Sequence, residues 1–307
     1  MTKRVAVVGA GTIGASWAAI FLARGLDVAA TDPSPDGEAF ARRFVDNAWP
    51  TLEKLGWVVA GADRKRMSWH KTPAEALKGA EFVQESALER EDIKIELFKE
   101  LDAAAPPEVV ISSSSSGLLI SRVVGKCKHP ERCVIGHPFN PPHLIPLVEV
   151  VGGEKTSAKA IDTAMKFYAE IGKKPIRINK EVRGHVANRL QAALWREVVH
   201  LVSEGVVSVS DADAAIAYGP GLRWALMGPS LTFHLAGGEG GMTNFMAHLV
   251  PAMETWIAYL GEPKFTPQVK KQIIDGVAEE AAGRTIPDLR AWRDRKLIDI
   301  LKVSAAR

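Results

Sequence analysis

The sequence has few cysteines and no strong excess of charge of one sign. Its 307 residues include only Cys127 and Cys133, too few for a disulfide framework, so we interpret both as free thiols in a reducing compartment. The 39 basic and 36 acidic residues give a net charge of +3, and no block of five or more like charges occurs. The balanced charge and the lack of a basic block argue against a nucleic-acid-binding surface.

Long hydrophobic segments are also scarce, with one exception near the N-terminus. Residues 5–23 carry no charge and follow Lys3 and Arg4, a layout typical of a signal peptide or a membrane-spanning helix. Three glycines in this stretch, however, lie where a strand would turn into a helix, and cleavage near Ala18 or Ala19 would remove that turn. We therefore expect a cytoplasmic protein without a targeting segment.

The remaining composition, 47% hydrophobic and 24% charged, is that of a globular protein, and the length predicts two domains. Apolar, β-branched segments alternate with helical patterns in the first part of the chain. The predicted strands are residues 4–8, 26–31, 67–71, 81–85, 109–113, 133–137, 147–151 and 175–178, and the predicted helices among them are 12–24, 36–56, 90–105 and 157–171. Such alternation predicts an α/β fold with a Rossmann-type doubly wound sheet.

Helical spacing dominates after Glu181, notably in residues 184–205 and 211–218, and no convincing strand remains. We therefore predict a doubly wound domain in residues 1–182 and an all-helical C-terminal domain in residues 183–307. The serine run at 112–116 is interpreted as the end of a strand and its turn, not as a linker, because an apolar helix start follows it.

A glycine-rich turn follows the first predicted strand. Gly9, Gly11 and Gly14 fit the pattern G-x-G-x-x-G between a strand and a helix. The first glycine permits a tight turn, the second lets the backbone approach a pyrophosphate, and the third allows close packing of the helix on the sheet. The phosphates would then lie at the helix N-terminus, beside Thr12 and Ile13.

An acid ends the second predicted strand. Asp32 lies about 20 residues after the glycine-rich turn, where a carboxylate accepts hydrogen bonds from the adenine ribose hydroxyls and repels a 2′-phosphate. The pattern predicts that the chain binds NAD in preference to NADP. FAD is the main alternative, although no further flavin-contact signature follows.

A histidine and a second acid lie on successive predicted strands. His137 ends a buried strand at the edge where doubly wound sheets bind ligands, and Glu149 lies on the next strand. A carboxylate that holds one imidazole nitrogen fixes the tautomer while the other nitrogen takes a proton from an alcohol. No C-x-x-C or H-E-x-x-H pattern occurs, so we expect no metal site. The other histidines are interpreted as structural: His70, His129, His143, His185, His200, His234 and His248.

Taken together, these segments resemble the 3-hydroxyacyl-CoA dehydrogenase family over nearly the whole chain. The resemblance rests on GAGTIG at 9–14, QESALER at 84–90, HPFNP at 137–141, LVEVVGG at 147–153 and GHVANRL at 184–190. It implies an NAD-dependent oxidation of a 3-hydroxyl group, catalysed by an NAD-binding domain joined to a helical substrate-binding and dimerisation domain in a homodimer. It also implies a role for Glu85, which matches an acid near the nicotinamide ribose.

The resemblance implies catalytic roles as well. His137 matches the catalytic base of the family, and Glu149 matches the acid partner of that base. Asn140 and Asn188 match asparagines that orient the histidine and the substrate oxygen, and Ser116 matches a serine that hydrogen-bonds the reacting hydroxyl.

Departures from the family pattern bear on the substrate. The CoA-using members have an asparagine before the serine pair, where this chain has residues 113–116, and they often end in a glycine-aromatic signature that is missing here. Residues 219–229 and 236–242 resemble two branches that act on free acids, L-carnitine 3-dehydrogenase and L-gulonate 3-dehydrogenase, the latter including the lens lambda-crystallins. The AGGEGGM segment and the pair Arg223 and Trp224 are nearer the carnitine branch.

Two features of the helical domain suit a small cationic acid. Arg223 is the candidate for bidentate binding of a carboxylate, with a surface arginine as the alternative. A trimethylammonium group binds best on aromatic faces, although aromatic residues at helical spacing are usually core; the candidates are Trp195, Trp224, Phe233 and Trp256. We expect oxidation of L-carnitine to 3-dehydrocarnitine. The alternatives are L-gulonate, an L-3-hydroxyacyl-CoA, and a redox-inactive NAD-binding or crystallin-like structural protein.

Overall fold

The computed structural model of the protein describes residues 3–304. The chain divides into two compact units, residues 1–189 and residues 190–307. The described strands are β1 (Arg4–Val8), β2 (Asp27–Thr31), β3 (Met67–Trp69), β4 (Phe82–Glu85), β5 (Val110–Ser113), β6 (Cys133–Pro138), β7 (Leu147–Gly152) and β8 (Lys174–Ile178).

Helices connect the strands and make up the second unit. The described helices are α1 (Thr12–Ala23), α2 (Gly37–Lys54), α3 (Pro73–Ala76), α4 (Glu91–Ala104), α5 (Ile120–Val123), α6 (Ala158–Glu170), α7 (Ala187–Ser203), α8 (Val209–Ala217), α9 (Pro220–Trp224), α10 (Pro229–Ala236), α11 (Gly241–His248), α12 (Val250–Ala258), α13 (Pro267–Ala281) and α14 (Ile286–Ser304). Among them, none combines the length and the apolar character that a membrane crossing requires.

The strands form one sheet in the order β3-β2-β1-β4-β5-β6-β7-β8. Strands β1 to β6 pair in parallel, which confirms the predicted doubly wound α/β fold with a helical C-terminal region. β7 runs antiparallel to β6, and β8 pairs in parallel with β7. Only residues 139–146 connect β6 to β7, too few for the crossover helix that a parallel pair needs.

Hydrophobic residues cover both faces of the sheet. Because side chains alternate along a strand, Val5 and Val7 of β1 join one buried cluster while Ala6 and Val8 join another. The first cluster contains much of α1, in which Trp17 is fully buried. The ends of the strands are thereby held rigidly, which positions the residues that follow them.

The second unit buries much less of its apolar surface. Val199 and Phe245 are among its few buried hydrophobic residues, whereas Tyr218, Trp256 and Tyr259 are 82%, 65% and 88% exposed. Large exposed apolar groups of this kind are typical of surfaces that bind another protein chain.

The long C-terminal helical pattern begins later than the sequence predicts. Residues 184–186 precede α7 instead of forming its first turn. Gly184 and His185 have φ angles of +75° and +49°, in the left-handed region that ends or precedes a right-handed helix. The turn that results lies beside the site described next.

Candidate active site

The glycine-rich turn joins β1 to α1, and its geometry shows where glycine is required. Gly9 has a φ of +88°, and a Cβ there would lie 2.6 Å from a backbone atom of the segment after β4. A Cβ on Gly14 would lie 1.8 Å from the Gly9 carbonyl oxygen, but one on Gly11 would meet nothing within 4 Å. No side chain of the described residues caps the start of α1, so the amides of Thr12 and Ile13 remain available to a phosphate.

Asp32 follows β2 and faces the same turn. One of its carboxylate oxygens accepts a hydrogen bond from the Ala10 amide at 2.7 Å, and the other accepts one from the Ser34 amide at 2.8 Å. Each oxygen keeps a further lone pair for a ribose hydroxyl. The open turn, the uncapped helix and this half-buried carboxylate fit an NAD adenosine and its pyrophosphate.

The antiparallel pairing of β6 and β7 places His137 directly opposite Glu149. The His137 Nδ1 and Glu149 Oε2 atoms lie 2.8 Å apart. The Glu149 side chain is fully buried and the His137 side chain is 8% exposed, so the pair is largely shielded from water. This contact is the one that the sequence predicted.

The second oxygen of Glu149 binds the start of α7. Oε1 accepts hydrogen bonds from the amides of Val186 and Ala187, each at 2.9 Å. Burial raises the pKa of the Glu149 carboxyl, but the hydrogen bonds from His137, Ala187 and Val186 outweigh burial and hold the pKa below its ordinary value. An ionised carboxylate only accepts hydrogen bonds, so His137 carries its proton on Nδ1 and leaves Nε2 free to act as a base.

The serine run forms the end of β5 and the loop after it. Glu89 binds this loop: its Oε1 accepts hydrogen bonds from the Ser115 hydroxyl at 2.7 Å and from the Ser116 and Gly117 amides at 2.8 and 3.1 Å. Burial raises the pKa of the Glu89 carboxyl, but Ser115, the Lys94 charge and the two amides outweigh burial and hold the pKa below its ordinary value. The ionised carboxylate fixes the position of Ser116.

Glu85, the last residue of β4, is fully buried and bound on both oxygens. Oε1 accepts hydrogen bonds from the Ala87 amide and from the Lys94 ammonium group, both at 2.6 Å, and Oε2 accepts one from the Ser113 hydroxyl at 2.5 Å. This arrangement links the ends of β4 and β5. A contact between Glu85 and the nicotinamide ribose stays a prediction.

The remaining predicted catalytic residues are Ser116 and Asn140, which lie in loops, and Asn188, which lies in the first turn of α7. Ser116 is exposed, and its carbonyl oxygen lies 3.4 Å from Asn188 Nδ2, a long hydrogen bond between the serine loop and the start of α7. Asn140 is exposed in the loop after β6, two residues beyond that strand. The structure thus joins His137 to Glu149 and Ser116 to Asn188, and it leaves the Asn140 side chain open to solvent.

The predicted substrate residues belong to the second unit. Arg223 and Trp224 lie in α9, and Arg223 lines a cavity of about 280 Å³ together with residues of α10. Phe233 stacks on Phe245 at 4.8 Å. Trp195 stacks on Phe265 at 5.5 Å. Two of the candidate aromatic residues, Phe233 and Trp195, therefore pack against another ring within this unit.

Two residues at the site were missed by the sequence reasoning. Glu89 lies in the QESALER segment, but only Glu85 was singled out there. His185 was interpreted as structural, although it lies three residues before Asn188; its ring centroid is 5.2 Å from that of His137. The sequence did offer one indication of both residues, because each lies in a segment, 84–90 or 184–190, that contains another predicted site residue. Among the described residues, no three His, Cys, Asp or Glu side chains are grouped to hold a metal ion.

Comparison with protein families matches both parts of the chain. The NAD-binding domain of 3-hydroxyacyl-CoA dehydrogenase matches residues 4–182, and the C-terminal domain of 3-hydroxyacyl-CoA dehydrogenase matches residues 184–285. The chain belongs to the 3-hydroxyacyl-CoA dehydrogenase family. As a member of this family, the protein is an oxidoreductase that uses NAD, which confirms the cofactor that the glycine-rich turn and Asp32 predict.

Two relatives within the family are L-carnitine dehydrogenases. The L-carnitine dehydrogenase of Streptomyces coelicolor is 50% identical to this chain over 302 residues, covering 98% of this chain and 95% of that protein. The L-carnitine dehydrogenase of Pseudomonas aeruginosa is 47% identical over 299 residues, covering 97% of this chain and 93% of that protein.

Solved structures share the fold. A 5-formyl-3-hydroxy-2-methylpyridine 4-carboxylic acid 5-dehydrogenase, an NAD+-dependent dismutase, matches with a TM-score of 0.86 and 28% identity, covering all of both chains. A 3-hydroxybutyryl-CoA dehydrogenase from Escherichia coli matches with a TM-score of 0.66 and 29% identity, covering 77% of this chain and 50% of that chain.

Proposed function

We propose that this protein is an NAD-dependent L-carnitine dehydrogenase, which oxidises the 3-hydroxyl of L-carnitine to give 3-dehydrocarnitine. The observation that carries the substrate assignment is the alignment with L-carnitine dehydrogenases over nearly the whole chain. The observation that carries the chemistry is the buried His137–Glu149 pair, because it leaves one imidazole nitrogen free beside a cofactor-binding fold.

In the proposed mechanism, His137 Nε2 accepts the proton of the substrate 3-hydroxyl. Bound NAD supplies the hydride acceptor for this oxidation. Glu149 stabilises the imidazolium that forms, since its carboxylate already holds the Nδ1 proton at 2.8 Å. Ser116 and either Asn140 or Asn188 hydrogen-bond the substrate oxygen as it becomes a carbonyl.

The cofactor site in this proposal is the turn between β1 and α1. Gly9 and Gly14 shape the turn, Gly11 leaves its surface open, and the α1 amides bind phosphate. Asp32 accepts the adenine ribose hydroxyls, as its free lone pairs allow. The full proposed set is Gly9, Gly11, Thr12, Ile13, Gly14 and Asp32, with Glu85 near the nicotinamide ribose.

Substrate recognition is assigned to the helical domain. Arg223 binds the substrate carboxylate, a role supported by a guanidinium that makes no ion pair with any described residue. Trp224 offers an aromatic face for the trimethylammonium group. Residues 1–182 accordingly form the NAD-binding domain, and residues 183–307 the substrate-binding and dimerisation domain.

The proposed assembly is a homodimer in the cytoplasm. Support for the dimer comes from the large apolar side chains that the helical unit leaves exposed, among them Tyr218, Trp256 and Tyr259. Light scattering should then give twice the 33.2 kDa chain mass, and a monomer at micromolar concentration contradicts this assembly. The free thiols Cys127 and Cys133 support a reducing compartment.

The deciding experiment follows NADH formation at 340 nm with a panel of L-carnitine, L-gulonate, L-3-hydroxybutyrate and L-3-hydroxybutyryl-CoA, each with NAD and with NADP. Turnover of L-carnitine with NAD is the expected result. Activity on gulonate or the CoA ester alone overturns the substrate assignment and keeps the mechanism. A protein that binds NAD but oxidises none of the four compounds is either specific for another acid or a redox-inactive NAD-binding protein.

A further inference from the structure

His185 is a buried histidine in a strained backbone conformation. Its side chain is 1% exposed and its φ angle is +49°. A residue other than glycine in this left-handed region is uncommon, and it persists where the surrounding contacts hold it. The backbone amide of His185 closes a turn on the Val182 carbonyl at 3.1 Å. A histidine in this place requires an explanation.

The contacts of the ring define its tautomer. Nε2 lies 3.0 Å from the carbonyl oxygen of Ser115, which only accepts hydrogen bonds, so Nε2 carries the proton. Nδ1 is buried and has no hydrogen-bond partner in the described part of the chain. Burial and the nearby His137 lower the pKa of His185, while the Ser115 carbonyl and the charges of Glu149 and Glu89 raise it; burial prevails. The ring is therefore neutral at neutral pH.

Packing alone does not account for an imidazole here. A phenylalanine ring fills a similar volume and has no unpaired polar atom, whereas a buried acceptor without a partner costs free energy of folding. Within residues 3–304, the polar contact of the His185 side chain is the hydrogen bond to Ser115. The residue that follows Ser115 is Ser116, the proposed partner of the substrate oxygen.

His185 also lies beside the base and its acid partner. Its ring centroid is 5.2 Å from that of His137, and the next residue, Val186, donates its amide to Glu149. The serine loop is bound on its amides and hydroxyls by Glu89, and on its Ser115 carbonyl by His185. The His185 ring therefore lies between the base and the serine loop, and the residue after it binds the acid.

We propose that His185 is a positioning residue for the oxidation: its Nε2–H group holds the Ser115 carbonyl, and this fixes Ser116 relative to the His137–Glu149 pair. The inference rests on the proposed function, in which Ser116 hydrogen-bonds the reacting oxygen. His185 itself takes no proton in the reaction. It acts through the serine loop, so its loss should lower kcat more than it weakens cofactor binding.

The test compares two side chains of similar length that differ in one donor. His185→Gln keeps an N–H group near the position of Nε2, and His185→Met removes it. We expect His185→Met to lower kcat roughly 10- to 100-fold, with the Kd for NAD unchanged, as the loss of one buried hydrogen bond predicts. His185→Gln should recover most of that loss. His185→Phe, which retains ring volume, should behave like the methionine variant.

A double-mutant cycle tests the route through Ser116. Ser116→Ala should lower kcat in the wild-type background and have a smaller effect in the His185→Met background, because the two residues act as one unit. Additive losses overturn the proposal, and so do equal kcat values for the glutamine and methionine variants. Thermal unfolding of each variant identifies any that fail to fold, and His129→Gln, a change at an exposed histidine, serves as the control.

The two hypotheses fail in different ways. The variants are assayed with whichever acid of the panel the wild-type enzyme oxidises, so a wrong substrate assignment leaves the His185 comparison readable. Wild-type activity with a fully active His185→Met variant overturns the positioning role alone. A wild-type enzyme that binds NAD but oxidises none of the acids overturns the proposed function, and the role of His185 in that reaction with it.

Discussion

Glu149→Gln is the substitution that tests the base most directly, because it removes one charge and changes almost no volume. In the wild-type protein the carboxylate accepts three hydrogen bonds, from His137 Nδ1 at 2.8 Å and from the amides of Val186 and Ala187 at 2.9 Å each. The glutamine carbonyl can keep the two amides. Its NH2 group then faces Nδ1 as a donor, so the histidine must accept there and carry its proton on Nε2.

With its proton on Nε2, His137 cannot accept the proton of the substrate at that nitrogen. Any imidazolium that does form also lacks the negative charge of Glu149 beside it. Losing a hydrogen bond to a charged group costs about 1.5–3 kcal/mol, and the tautomer change adds to this. A total of roughly 3–5 kcal/mol corresponds to a loss in kcat of about 10²- to 10⁴-fold, at about 1.4 kcal/mol per tenfold. The Kd for NAD should not change, since the glycine-rich turn and Asp32 are untouched.

The assay is NADH formation under saturating substrate, with NAD binding measured by fluorescence titration. Glu131→Gln is the matched control, because Glu131 forms an exposed pair with His129 at 3.3 Å that lies outside the site. The control should keep wild-type kcat. If Glu149→Gln also keeps wild-type kcat while folding normally, the assignment of His137 as a base oriented by Glu149 is refuted.

The same variant has a signature in stability. The folded-state pKa of Glu149 lies below its ordinary value, so the carboxylate stabilises the fold above that ordinary value and loses this effect as the pH falls through the lowered pKa. The difference in unfolding free energy between wild type and Glu149→Gln should be largest near neutral pH and shrink in acid. Urea unfolding at neutral and acid pH measures it, and a constant difference contradicts the assigned hydrogen bonds.

Other substitutions test the base, the cofactor site and a buried cation. His137→Ala should bind NAD normally and lose about 100- to 10,000-fold in kcat, and full activity contradicts the mechanism. Asp32→Ala should raise the Kd for NAD about tenfold or more and reduce the preference over NADP, as measured by fluorescence titration; an unchanged preference contradicts the role of Asp32. Lys173 is buried, and burial together with the charge of Arg24 lowers its pKa to about 7. Because the unfolded chain binds this proton up to the ordinary lysine pKa, wild-type stability should rise by up to about 1.4 kcal/mol per pH unit above pH ~7 relative to Lys173→Met. Equal slopes in urea unfolding at neutral and alkaline pH contradict the lowered pKa.

Local sequence patterns determined the architecture of the first unit. Strands end in glycine or polar residues and alternate with amphipathic helices, and both signals depend only on nearby residues. The glycine-rich turn and Asp32 were recognisable for the same reason. The start of α7 was placed too early, because helical periodicity continues through Gly184 and His185 and gives no sign of their positive φ angles.

The sequence by itself determined the NAD cofactor and the doubly wound sheet, whereas the tertiary structure decided how His137 is held. No local pattern reveals that β7 reverses direction, yet this reversal and its register set His137 opposite Glu149. The second oxygen of Glu149 binds amides 37 and 38 residues away, and Glu89 and His185, which lie far apart in sequence, bind one loop. Such contacts depend on strand pairing and on where separate loops meet, which only the folded chain fixes.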